Sequence, residues 1–194
     1  MSIRGVDVRK QLVLTASGRD RPGILEEVTR LIVRHDGNVE SGRFQRMGCD
    51  FAMMMFVTAP EDQIDALRDT LSELHFVKFD VQTRLSEVTD AQEETVATVC
   101  SITVVGADHM GIIYQVTRYL ADQGVNVESM ATEVVAAPMS GTPLFTMSAV
   151  VRVPHKLSIE DLREALEYIG DELGVDTEVV TEVASDRVGS PPAP

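Results

Sequence analysis

Apolar positions fall into two rhythms along the chain, the period of two of a strand and the 3.6 period of a helix. Lys10–Ser17 is rich in Leu and Val and predicts a strand, stopped by Gly18. Pro22 and Gly23 then open a helix, with Pro22 at its first position, and Ile24, Leu25, Val28, Leu31 and Ile32 form one stripe. Asp36-Gly37 ends it. Asn38–Met47 and Phe51–Thr58 predict two strands around Gly48-Cys49. Ile64, Leu67, Leu71 and Leu74 mark a second amphipathic helix after Pro60, and Phe76–Leu85 a fourth strand. Within Phe51–Thr58 the Met53-Met54-Met55 run predicts core packing with one methionine turned outward.

The pattern then repeats. Val96–Val105 predicts a strand and Gly111–Gln123 a helix, through Ile112, Ile113, Val116 and Leu120. Asn126–Val135 and Leu144–Val153 predict strands, the latter with Phe145, Met147, Ala149 and Val151 on one face. Ser158 with Asp161 resembles a capping box before the stripe Ile159, Leu162, Leu166 and Ile169, and Val175–Val183 closes the unit. The second copy lengthens its hairpin loop at Ala136–Gly141. The order β-α-β-β-α-β with one apolar face per helix is the split-βαβ pattern of ferredoxin-like α+β folds, with helices on one face of an antiparallel sheet.

The repetition extends to identity. Gly18, Asp20, Gly23, Ile24, Val28-Thr29-Arg30 and Asn38-Val39-Glu40-Ser41 recur 88 positions later, without a gap, as Gly106, Asp108, Gly111, Ile112, Val116-Thr117-Arg118 and Asn126-Val127-Glu128-Ser129. A period this long signals a duplicated domain rather than a solenoid. The expected organisation is a first domain at 8–86, a polar linker at 87–95, a second domain at 96–184 and a disordered tail at 185–194.

Charge narrows the partners. Of the net −14, residues 1–88 contribute −2 and residues 89–194 contribute −12. A field of that sign repels a phosphate backbone, so direct nucleic-acid binding is not expected. Cys49 and Cys100 form no C-x-x-C pattern, and His35, His75, His109 and His155 have no metal-ligand spacing, so neither disulfide nor metal is expected. The polar start of the chain lacks a signal core, and the longest apolar run is too short to span a bilayer. The expectation is a cytoplasmic protein with no membrane partner. No phosphate-binding, nucleophile-elbow or dinucleotide motif is present, and no base is paired with a nucleophile, so neither an enzyme nor a cofactor is expected.

The chemistry that remains sits in the duplicated turn. A strand-Gly-x-Asp-x-x-Gly-helix junction leaves backbone N–H groups unsatisfied at a helix N-terminus, which suits a carboxylate. Gly23 and Gly111 let a ligand approach the backbone closely. Asp20 and Asp108 precede the helices, either as N-caps or as ligand contacts. Asn38 and Asn126 enter the following strand and are expected beside the same helix end, where an amide accepts from an ammonium and donates to a carboxylate.

These residues resemble the ACT domain, a regulatory βαββαβ module of amino-acid metabolism. The likeness rests on Asp20-Arg21-Pro22-Gly23-Ile24-Leu25 and on Asn38-Val39-Glu40-Ser41. Two such repeats without a catalytic domain look like the glycine cleavage system transcriptional repressor family. The Gly141-Thr142-Pro143-Leu144-Phe145 and Val151-Arg152-Val153-Pro154 segments add to that likeness. The second copy departs from the pattern, with His109-Met110 where the first has Arg21-Pro22.

The resemblance implies ligand binding where ACT domains meet, through Asp20, Pro22, Gly23, Ile24 and Asn38 in copy one and Asp108, Gly111, Ile112 and Asn126 in copy two. It implies a small amino acid of the glycine or serine class and control of a protein partner such as a transcription factor, while unpaired sheet edges and small domains predict a homodimer. The alternative is a detached regulatory subunit of an amino-acid or folate enzyme.

Overall fold

The computed structural model describes residues 8–73, 79–86, 97–137 and 141–182. Contacts divide the chain into two compact units, Met1–Ala91 and Gln92–Pro194. The first contains β1 (Arg9–Arg19), α1 (Ile24–Arg34), β2 (Asn38–Met47), β3 (Asp50–Pro60), α2 (Ile64–Glu73) and β4 (Phe79–Ser86). The second contains β5 (Ala97–Ala107), α3 (Ile112–Asp122), β6 (Asn126–Ala136), β7 (Pro143–Pro154), α4 (Ile159–Leu173) and β8 (Val175–Thr181). Leu74, His75, Phe76, the expected linker at 87–95 and the expected tail at 185–194 lie outside the described residues.

Each unit has one four-stranded antiparallel sheet, ordered β2-β3-β1-β4 and β6-β7-β5-β8. The period of two decides which face is dry. Leu12, Leu14 and Ala16 of β1 and Met53, Met55, Val57 and Ala59 of β3 are buried on the helix side, with Ile24, Val28, Ile32, Ile64, Leu67 and Leu71 packed onto them. Met54, between two buried methionines, is 46% exposed. In the second unit Phe145, Met147, Ala149, Val151 and Val153 are the buried set of β7, as the alternation predicts. Full burial of such side chains contributes roughly 1.5–3 kcal/mol apiece, which is why the pattern settles the facing of the strands that carry them.

The helix ends are built differently from expectation. Pro22 is not the first residue of α1. The helix begins at Ile24, and Gly23 is its N-cap, in the left-handed region at φ 88°. Gly111 caps α3 the same way at φ 101°. Asp20 and Asp108 are not the caps, because neither α1 nor α3 has a side-chain cap bond. At α4 the serine cap is present, Ser158 Oγ accepting from the Asp161 amide at 3.0 Å. Past α1, Asp36 takes a left-handed φ of 52° where the second copy has Gly124 at 70°.

Candidate functional site

The β1–α1 turn is held from both sides. The Asp20 amide donates to Cys49 O at 2.9 Å, and the Asp20 carboxylate pairs with Arg46 at 3.1 Å. Arg21 donates two hydrogen bonds to Glu27, at 2.9 and 2.5 Å. That fork holds the Glu27 carboxyl below the ordinary range, the hydrogen bond from Arg21 being the main cause. Pro22 and Gly23 are exposed in the turn, whereas the Ile24 side chain is buried in the core. Only the backbone of Ile24 is therefore open to a ligand.

In the second copy the Asp108 amide donates to Pro143 O at 3.0 Å, and Asp108 is exposed. His109 replaces Arg21 and ties the turn to a different element. Its Nε2 lies 2.7 Å from Leu173 O, at the end of α4, and its Nδ1 lies 3.1 Å from Met110 O. Two carbonyl acceptors favour the doubly protonated ring, and these bonds push the His109 pKa up, the Leu173 contact first. A shallow cavity of about 460 Å³ opens at this turn, lined by Asp108 through Tyr114 and by Phe145. Ile112 is buried beneath it, while Met110, Ile113 and Tyr114 are exposed.

Both turns present a helix N-terminus without a side-chain cap. A Cβ built on Gly23 or on Gly111 meets nothing within 4 Å, so space for an incoming group lies directly over each backbone. Their electrostatics differ. The first turn of α1 carries Glu26 and Glu27, and that of α3 carries no acid. An anion therefore meets less repulsion at α3.

The asparagines are not beside these turns within one unit, which corrects the sequence reading. Asn38 pairs with Thr58, which pairs with Gln11, whereas Gly18 pairs with Phe51 at the other end of the sheet. From Gln11 to Gly18 the strand climbs about 23 Å. Asn126 lies at the same remove, opposite Arg152 and Val99, with Gly106 opposite Phe145 at the turn end. The reason is topological, since the helix carries the chain back along the sheet and β2 and β6 start at its C-terminal end.

A residue the motif reading passed over belongs with each asparagine. The register of β2 against β3 shifts between Val39 and Ser41, a bulge at Glu40, and β6 shifts identically at Glu128. Glu40 accepts from the Asn38 amide at 3.0 Å and from Thr58 Oγ1 at 2.7 Å, which lowers its pKa, the Thr58 bond first. Glu128 instead pairs with Arg152. Their shared place in the Asn-Val-Glu-Ser repeat was the available signal. Among the described residues no group of His, Cys, Asp and Glu could hold a metal ion, and no helix is long and apolar enough to cross a membrane.

The ACT domain profile matches this chain twice, at residues 10–86 and 99–180, the two sheets just described. The chain belongs to the ACT domain family. It is 35% identical over 82 residues to a UPF0237 protein of Methanopyrus kandleri, a match covering 42% of this chain and 84% of that protein. It is 35% identical over 60 residues to the glycine cleavage system transcriptional repressor of Escherichia coli K12, covering 31% of this chain and 32% of the repressor. Among solved structures, an unknown protein from Galdieria sulphuraria superposes with a TM-score of 0.78 at 28% identity, over 91% of this chain and all of that one. A structure described as a glycine cleavage system transcriptional repressor superposes at 0.66 and 23% identity, over 90% of this chain and 98% of that one, and shares the fold. This is a tandem ACT-domain protein related to a repressor, with the turns of its two ACT domains as the candidate site.

Proposed function

We infer that this ACT-domain protein is a regulatory sensor of a small amino acid, of the glycine or serine class. The observation that carries the reading is the pair of left-handed glycines, Gly23 and Gly111, each capping a helix with no side chain and with open space above its backbone. The ligand carboxylate binds the free N–H groups and the positive end of the helix dipole. Its ammonium needs an acceptor, which Asn38 or Asn126 supplies from a neighbouring ACT domain, because the asparagine of the same unit is at the far end of the sheet. Asp20 and Asp108 stand at the turn as further acceptors. The protein acts as a homodimer in the cytoplasm and has no catalytic role.

The ligand controls a protein partner by favouring one arrangement of domains over another, with a coupling of about 1–3 kcal/mol. The acidic second half, in a relative of a transcriptional repressor, favours control of transcription through protein contact without direct DNA binding. The test is thermal unfolding against the twenty amino acids at millimolar concentration. One or two small amino acids raise the midpoint of the natural protein. Gly111→Val and Asn126→Ala, each checked as folded by circular dichroism, lose that rise. Absence of a shift with all twenty removes the reading. Capture of an enzyme with no transcription factor would instead favour the detached regulatory subunit.

A further inference from the structure

Each sheet has a second face that no helix of its own unit covers, and the two faces carry opposite charge. On the first, Val13 lies between Phe56 and Arg84, and Met54 lies between Thr15 and Arg43. Met54 and Phe56 are exposed, at 46% and 37%. The two edge strands each contribute a cation, Arg43 on β2 and Arg84 on β4, and neither has a carboxylate partner among the described residues. Arg9 and Arg19 share this face, with Glu40, Asp50 and Asp80 as its acids.

On the second sheet the corresponding face has Val150 and Val180 either side of Ser101. Val180 is 50% exposed. Its edge strands contribute acids, Glu133 on β6 and Glu178 on β8, joined by Asp176 and by Glu182, which accepts from Ser101 Oγ at 2.5 Å. Among the described residues the one cation on this face, Arg152, is paired with Glu128. One chain thus carries an open face on which arginines outnumber acids, with Glu40 on β2 and Asp80 on β4 beside Arg43 and Arg84, and another on which acids predominate among the described residues.

We propose that this open face of the first ACT domain docks on the open face of the second ACT domain of another copy of the chain. Two such contacts related by a two-fold axis occupy all four faces and close the assembly as a dimer. Strands about 4.8 Å apart and about 25 Å long give a four-stranded face of roughly 480 Å², so four faces bury roughly 1,900 Å², enough for a stable interface. Pairing the second face with its own twin sets acids against acids, whereas the first face offers it a surplus of arginines. The proposal concerns sheet faces and stands whether or not the turns bind an amino acid.

Two charge-reversed forms of the full chain test it, Arg43→Glu with Arg84→Glu, and Glu133→Arg with Glu178→Arg. Light scattering after size exclusion reads the mass, and circular dichroism checks folding. The natural protein is a dimer at micromolar concentration, and each doubly substituted form alone is a monomer, with dissociation at least tenfold easier. Mixed in equal amounts, the two forms associate, since both contacts regain an acidic face against a basic one. A monomeric natural protein, including one whose two faces pair within a single chain, overturns the proposal. So does either substituted form remaining dimeric alone, or failure of the mixture to associate. Should one form not fold, reversal of Arg84 and of Glu178 singly provides the same pair.

Discussion

The imidazole of His109 lies with Nε2 2.7 Å from the carbonyl oxygen of Leu173, joining the β5–α3 turn to the end of α4. Because the ring's other nitrogen also faces a carbonyl, that of Met110, the folded protein holds the proton more tightly than the unfolded chain. A raised folded pKa stabilises fully below the unfolded value of about 6.5 and is lost as pH rises through the folded value. The second unit therefore loses stability from about pH 6.5 upward. Thermal midpoints measured across that range should fall for the natural protein and stay flatter for His109→Gln.

Two glycines of the second unit should respond to alanine for different reasons. A Cβ on Gly106 falls 2.5 Å from Val175 Cγ1 and 2.8 Å from Val175 Cα, so the β5–β8 pairing must move apart. A Cβ on Gly111 meets nothing, and its cost is the left-handed backbone alone, about 1–2 kcal/mol. Urea unfolding should rank Gly106→Ala well below Gly111→Ala. Equal losses would contradict the packing at Val175.

The cysteines differ in access. Cys100 is fully buried in the second core, and burial pushes its thiol pKa up, while Cys49 is exposed in the β2–β3 hairpin. A thiolate-selective reagent should modify one thiol per native chain and two after denaturation. Cys49→Ser should leave the native protein unreactive.

Ser158→Ala removes the cap of α4 by deleting the acceptor for the Asp161 amide. The expected loss is about 1 kcal/mol. Asp or Asn at 158 should recover most of it, read as the urea midpoint.

How much was legible follows from how far apart the deciding residues lie. The alternation through Met53, Met54 and Met55 and the stripe Ile24, Val28 and Ile32 are local, and their burial matches. The turn glycines were visible because only glycine is at ease at their φ, and the duplication marked both. Pro22 does not open the helix, and of the two roles open to Asp20 the cap falls to Gly23, because a cap depends on the local φ, which the residue pattern does not record.

The sequence by itself determined the elements, their order, the dry face of each sheet and the duplicated turn, since each depends on contacts within a few residues. Only the tertiary structure decided that Asn38 sits a sheet-length away from Gly23, that Glu40 and Glu128 occupy bulges, and that His109 reaches Leu173. It also set Arg43 and Arg84 on one open face and Glu133 and Glu178 on the other. Those relations depend on strand order and register, which join residues distant in the chain through backbone pairing, and no local period records them.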